Sequence, residues 1–180
     1  MKRYILTGAP GAGKTAILRS LEADGHTVIE EAATDLIALE QARGCAEPWT
    51  EPSFPDRICQ LQHQRQAKAT GGTDAVQFYD RSPICTLALA RYLDHPVAPG
   101  LERELDRIET EQVYQRQVFF IQLLGFVTPT AARRIDLAEA VRFEHVHLEV
   151  YRDLGYDCIK IPPGTLHDRV ETIKRIAGEP

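Results

Sequence analysis

Several things are missing from this 180-residue sequence. No apolar run approaches the ~20 residues that a membrane-crossing helix needs. The four cysteines, Cys45, Cys59, Cys85 and Cys158, are widely scattered and form no C-x-x-C pair. That argues against a zinc or disulfide framework and predicts reduced, mostly buried thiols in a cytoplasmic protein. Lysine and arginine form no cluster beyond the pair Arg133-Arg134, and the net charge is −5. No nucleic-acid-binding face is therefore expected. The N-terminus enters an apolar stretch directly, so no signal peptide is expected. There is no internal repeat and no low-complexity tract. With 43% apolar and 26% charged residues, the composition is that of one soluble globular domain spanning residues 1–180.

Glycine, by contrast, is placed with purpose. Gly8-Ala9-Pro10-Gly11-Ala12-Gly13-Lys14-Thr15 matches G-x-x-x-x-G-K-[ST] at every fixed position. The apolar Arg3–Thr7 stretch before it has strand character. Ile17, Leu18 and Leu21 after it share one helical face. Strand, glycine loop and helix are the context this motif requires. Glycines at 8, 11 and 13 let the backbone adopt positive φ and approach a ligand closely. The loop N–H groups and the helix N-terminus then form an anion nest. The predicted nucleotide contacts are Gly8, Ala9, Pro10, Gly11, Ala12, Gly13, Lys14, Thr15 and Ala16. Lys14 would meet the β- and γ-phosphates, and the Thr15 hydroxyl would hold Mg²⁺.

The rest alternates strand and helix. His26–Ile29 reads as a second strand, followed by a helix to about Ala42. Glu30 and Glu31 open that helix, where acidic residues suit the dipole. The alternative is that Glu31 is a functional carboxylate at the C-terminal end of a parallel strand, where open α/β sheets bind ligands. The proline-rich stretch 44–56 holds Trp49, read either as a substrate-stacking ring or as an anchor to the core. A polar helix from Asp56 carries Gln62, His63, Gln64 and Arg65, which can face a pocket or solvent. Gly71-Gly72 then interrupts the chain.

Val76–Tyr79 reads as a third strand ending in Asp80-Arg81-Ser82-Pro83. A carboxylate in that place suits a Mg²⁺ ligand or a base, and the arginine suits an anionic group. Pro83 also suits the first position of a helix. A further helix covers Leu101–Val113, with Leu101, Leu105, Ile108 and Gln112 on one face that is available to a dimer. Gln117–Leu124 is near-continuously apolar, as in a strand covered on both sides. After a helix over Leu137–Leu154 come a fifth strand, Tyr156–Ile161, and a last helix, His167–Ala177. In the long helix the expected inner face is Leu137, Val141, Leu148, Tyr151 and Leu154. His145 and His147 point to different faces, which argues against a two-histidine metal site. Five strands alternating with helices predict an α/β fold with a parallel sheet and helices on both faces.

The chain resembles the small P-loop kinases, and among them the AAA-labelled ATP-binding proteins related to nicotinamide-riboside-kinase and nucleoside or nucleotide kinase domains. The resemblance rests on Gly8–Thr15, on Val28-Ile29-Glu30-Glu31-Ala32-Ala33, on Phe78-Tyr79-Asp80-Arg81, on Arg133-Arg134 and on Tyr151-Arg152-Asp153-Leu154-Gly155-Tyr156. It implies a three-layer P-loop NTPase fold with strand order 2-3-1-4-5. It also implies an arginine lid at about 125–142, with Arg133, Arg134 and, one or two turns on, Arg142 as the candidates to meet the transferring phosphate. The implied catalytic set is Lys14, Glu31, Asp80, Arg81, Arg133 and Arg134, with Thr15 and Asp80 on the metal. One departure is that Thr34 and Asp35 stand where the resemblance leads one to expect an arginine.

The expected activity is ATP-dependent phosphoryl transfer to a small metabolite, with Glu31 or Asp80 as the base. A nucleotide-dependent switch and a plain NTP hydrolase are the alternatives. No N-K-x-D motif is present to read guanine, so ATP is expected over GTP.

Overall fold

The computed structural model describes residues 1–70, 75–124 and 137–178. Five strands form one parallel sheet: β1 (Lys2–Thr7), β2 (Thr27–Ile29), β3 (Val76–Asp80), β4 (Gln117–Ile121) and β5 (Asp157–Ile161). Their order is β2-β3-β1-β4-β5, as the resemblance implied. Among the described residues seven helices join or follow them: α1 (Lys14–Ala23), α2 (Ala32–Ala42), α3 (Phe54–Ala69), α4 (Pro83–Tyr92), α5 (Pro99–Thr110), α6 (Leu137–Asp153) and α7 (Leu166–Ala177). A 3-10 turn covers Pro48–Thr50.

Alternation along the strands divides the core between the two sheet faces. Ile5, Tyr79 and Val118 pack with Ile84, Leu87 and Ala88 of α4, Leu101 and Ile108 of α5, and Val150 and Tyr151 of α6. Their neighbours Tyr4, Leu6, Phe78 and Phe119 face the other way, onto Ile17 and Leu21 of α1 and Val170 and Ile173 of α7. Each such fully buried apolar side chain contributes about 1.5–3 kcal/mol relative to exposure. A smaller cluster of Ala32, Leu36, Ile37, Phe54 and Ile58 joins α2 to α3.

Register brings the informative segments to one edge. Leu6 pairs with Asp80 on one side and Phe119 on the other, and Ile29 pairs with Tyr79. With all strands parallel, the glycine loop, Glu31 and Asp80-Arg81 therefore leave the sheet at the same end.

Three helices differ from expectation. α3 starts at Phe54, two residues before Asp56, because Pro55 fits the first turn, where no intrahelical N–H is needed. The inner face of α5 is Leu101, Glu104 and Ile108. Gln112 lies beyond the helix at φ 48°. Leu101 and Ile108 are buried within this chain, so they are not available as a dimer face. In α6 the buried positions are Ala140, Phe143, His147, Val150 and Tyr151, whereas Leu137 and Val141 are exposed. The phase shifts because a polar residue, His147, belongs to the buried stripe. No helix among the described residues is long and apolar enough to cross a membrane.

Candidate active site at the carboxyl edge of the sheet

The glycine loop takes the conformations its composition permits. Gly8, Gly11 and Gly13 have φ of 126°, 85° and 88°. A Cβ on Gly8 would be driven into the Ile121 carbonyl of β4, so the loop lies hard against the sheet. Gly13 is the left-handed N-cap of α1. Lys14, Thr15 and Ala16 follow as its first turn, where amide groups have no intrahelical partner. Ala9 and Ala12 are buried, Pro10 is half-buried, and Thr15 and Ala16 are exposed. Lys14 is 6% exposed. Its Nζ donates to the Gly8 and Ala9 carbonyls, both at 3.1 Å. The cation is thus curled over the loop that would receive an anion.

Asp80, the last residue of β3, is buried. Arg81 follows at φ 70°. That conformation costs a non-glycine residue about 1–3 kcal/mol and persists only where its surroundings hold it. Here they do. The Arg81 N–H donates to the Leu6 carbonyl at 3.1 Å. The side chain is 10% exposed. Its Nε donates to Glu31 Oε1 at 2.6 Å and its Nη1 to His147 Nε2 at 3.2 Å. The guanidinium also stands over the Phe143 ring, 5.9 Å from the centroid. Burial alone would pull the Arg81 pKa down. The charge of Glu31, helped by Cys85 and Asp80, outweighs it and moves the pKa up.

Glu31 occupies the N-cap position of α2, but its side chain makes no capping bond. Its second oxygen accepts from the Thr34 hydroxyl at 2.6 Å. The carboxylate therefore belongs to the sheet edge, and the dipole reading describes only its place in the chain. Glu30 turns outward to Arg19. An arginine does reach the end of β2, from α3: Arg65 Nη1 donates to the carbonyls of Glu30 and Glu31 at 2.9 and 2.7 Å, and Nη2 pairs with Asp35.

His147 is the residue that sequence reasoning missed. It is fully buried. Its Nδ1 lies 2.9 Å from the Phe143 carbonyl. A carbonyl only accepts, so Nδ1 carries the proton and Nε2 is the acceptor for Arg81. The signal was its spacing with Ala140, Phe143, Val150 and Tyr151, a helical stripe that includes one polar member. His145 on the same helix is exposed, as the spacing required. Nearby, the Tyr151 hydroxyl bonds Ser82 Oγ and Cys85 Sγ, each at 3.0 Å, and Cys85 Sγ meets Thr7 Oγ1 at 3.2 Å. These contacts tie α6 to the start of α4 and the end of β1.

Burial, then the charges of Arg81 and Lys14, press the His147 pKa down from 6.5 to about 3, against the opposing Phe143 bond. In the unfolded chain His147 binds its proton more readily. Stability is therefore fully present above pH 6.5 and falls as the pH drops toward 3. His147→Gln, which keeps an acceptor for Arg81, is expected to flatten the fall of Tm between pH 6.5 and 4 measured by circular dichroism. An unchanged pH profile would contradict the assignment.

A cavity of about 350 Å³ opens beside this network, within the size range of small-molecule sites. Pro10 of the loop, Glu31 and Arg81 form one border. Ile37, Trp49, Phe54, Ile58, Leu89 and Phe143 supply apolar walls. Thr34, Gln62 and Thr86 are polar points in it, and Thr86 donates to Gln62 Oε1 at 2.8 Å. Trp49 packs on the α2–α3 cluster, which bears out the anchoring role, and the same ring also lines the cavity. Of the polar α3 residues, Gln62 alone lines the cavity. His63 pairs with Glu104, Arg65 serves β2, and Gln64 is exposed. Arg142 is exposed on α6. Arg133 and Arg134 lie outside the described residues, as do Gly71-Gly72.

Among the described residues, no group of three or more histidine, cysteine or acidic side chains could hold a metal by itself. Thr15 lies in the first turn of α1, directly after the glycine loop, and Asp80 ends β3 at the same edge of the sheet.

The model of a family described as "AAA domain" matches residues 3–169. The chain belongs to this AAA-domain family. Its fold is that of the P-loop kinases. The NadR protein, solved in complex with NAD and AMP-PNP, superposes with a TM-score of 0.72 at 14% identity, over 99% of this chain and 50% of that one. The AAA-domain chain thus spans half the length of NadR. Deoxyadenosine kinase from M. mycoides, solved with dCMP and dCDP, gives a TM-score of 0.64 at 13% identity, over 98% of both chains. No curated protein matches the chain.

Proposed function

We propose that this AAA-domain protein is an ATP-dependent kinase that transfers the γ-phosphate to a hydroxyl group of a small, partly apolar metabolite, of nucleoside or nucleotide kind. The observation that carries this reading is the cavity bordered at once by Pro10 of the glycine loop, by Glu31 and by Arg81. A switch or a hydrolase has no need of an apolar chamber beside its phosphate site. A kinase needs one to hold its acceptor.

The roles follow from position. Backbone N–H groups of residues 8–16 and Lys14 would hold the triphosphate. Mg²⁺, held by Thr15 and Asp80 together with the nucleotide, would neutralise charge on the β- and γ-oxygens. A base must come within reach of the proton it removes. Glu31 borders the cavity and Asp80 does not, which favours Glu31 as base and Asp80 as metal partner. Thr34 and Arg81 fix the direction of the Glu31 carboxylate. Arg81 would also meet an anionic part of the acceptor or the phosphate in transfer. Trp49 and Phe143 would pack on a flat ring, with Gln62 and Thr86 orienting it. Arg133 and Arg134 are proposed on sequence alone as the lid cations that complete the charge stabilisation within one nucleotide-binding domain.

The test is ADP release from Mg²⁺·ATP with separate pools of nucleosides, nucleotides, sugars and amino alcohols. ADP formation that depends on one pool is expected, and subdividing that pool names the acceptor. Equal ADP in every tube, including the tube without a pool, would instead support hydrolysis.

A further inference from the structure

Arg169 lies in the first turn of α7, far along the chain from the glycine loop. It is 5% exposed. Its guanidinium is set against the loop: a Cβ on Gly13 would meet Nη1 at 3.0 Å. An arginine carries five N–H donors. Among the described residues this one makes a single long hydrogen bond, from Nη2 to the Gln122 carbonyl at 3.3 Å, and its buried Nε has no partner there. No ion pair joins it to a carboxylate among the described residues. Burial lowers its pKa. Asp168 beside it is engaged with the Thr165 hydroxyl at 2.6 Å.

The placement is costly twice over. A buried cation with unused donors lacks compensation for its lost hydration. A cation in the first turn of a helix also opposes the helix dipole. Val170 and Ile173, the buried apolar residues of the same helix, show that burial here does not by itself call for a charge. What would relieve both costs is an anion, and the surface that Arg169 touches is the anion-binding loop.

We propose that Arg169 is a ligand of the nucleotide polyphosphate, a second fixed cation at the loop beside Lys14, donating through Nε and Nη1. This rests on the reading that the loop takes a nucleoside triphosphate. Arg169 has no sequence motif of its own. The fold brings it to the loop by packing α7 against α1 on the same sheet face.

The experiment compares wild type with Arg169→Met, measuring calorimetric Kd for Mg²⁺·ATP and for inorganic tripolyphosphate, and Tm without ligand. The variant is expected to bind both probes roughly 10- to 100-fold more weakly, as for loss of hydrogen bonds to a charged group. Its ligand-free Tm is expected to equal or exceed that of wild type, because an uncompensated buried charge has been removed. Unchanged affinity for both probes overturns the proposal. So does a loss for ATP alone, which would place Arg169 at the base or ribose. A variant that unfolds or melts lower without ligand also overturns it, since that result makes the side chain a structural one. If wild type itself binds neither probe, the triphosphate reading fails first.

Discussion

Lys14→Ala is expected to cut triphosphate turnover, with kcat/KM falling on the order of 100- to 1000-fold, the scale for removing one preorganised charge donor. The reasoning is geometric. Lys14 is the cation at the mouth of the glycine nest, and its Nζ now bridges the Gly8 and Ala9 carbonyls at 3.1 Å. Phosphate oxygens would draw it off those carbonyls at little cost, because one set of charge-assisted bonds replaces another. Alanine supplies neither. The fold should survive, since Lys14 sits on the loop side of α1 while Ile17, Leu18 and Leu21 carry the helix's burial. Two carbonyls losing a donor cost about 1–3 kcal/mol. Circular dichroism at a temperature well below Tm checks the fold, and coupled ADP detection checks the turnover. Full turnover in a folded Lys14→Ala protein would remove the glycine loop from the site.

Glu31→Gln is expected to lower kcat by about 100- to 10,000-fold, the usual contribution of a positioned general base, and to leave the KM for Mg²⁺·ATP nearly unchanged. Glutamine keeps an oxygen to accept from Arg81 Nε and so preserves the direction of the side chain. It cannot take a proton. The informative contrast is Arg81→Met. That change leaves Glu31, whose side chain is 17% exposed, without its buried cation, and removes the donor to His147 Nε2. Breaking a buried pair on one side costs about 3–5 kcal/mol, so Arg81→Met should lose stability as well as rate. Glu31→Gln should mainly lose rate. Asp80→Asn makes the third arm, with a raised Mg²⁺ requirement as its expected signature. If Glu31→Gln keeps full kcat while Asp80→Asn loses it at saturating Mg²⁺, the two carboxylates exchange roles.

Much of this architecture is legible in the amino-acid sequence. Three glycines at fixed spacing before Lys14-Thr15 admit few uses, and continuous apolar runs such as Val118–Ile121 mark buried parallel strands. The placement of Asp80 and Glu31 at strand ends then followed from topology. Other features were hidden for physical reasons. His147 is polar, so an apolar pattern on α6 skips it and points to a face with Leu137 and Val141, which are exposed. An arginine early in a helix ordinarily reads as a surface residue, and only the packing of α7 on the loop gives Arg169 its meaning. The cavity is built by α2, α3, α4 and α6 together with the Trp49 turn, and no single segment announces it. The arginine that the resemblance leads one to expect soon after Glu31 is absent from α2, and the carbonyls of Glu30 and Glu31 are instead met by Arg65 of α3.

The most direct measurement is the fate of the γ-phosphate. Incubating the protein with Mg²⁺ and γ-³²P-labelled ATP, with and without the metabolite pools, separates transfer from hydrolysis in one chromatogram. The account predicts label in an organic phosphate, formed only when an acceptor is present and lost in Glu31→Gln. Label released as inorganic phosphate at the same rate with and without acceptors would contradict it.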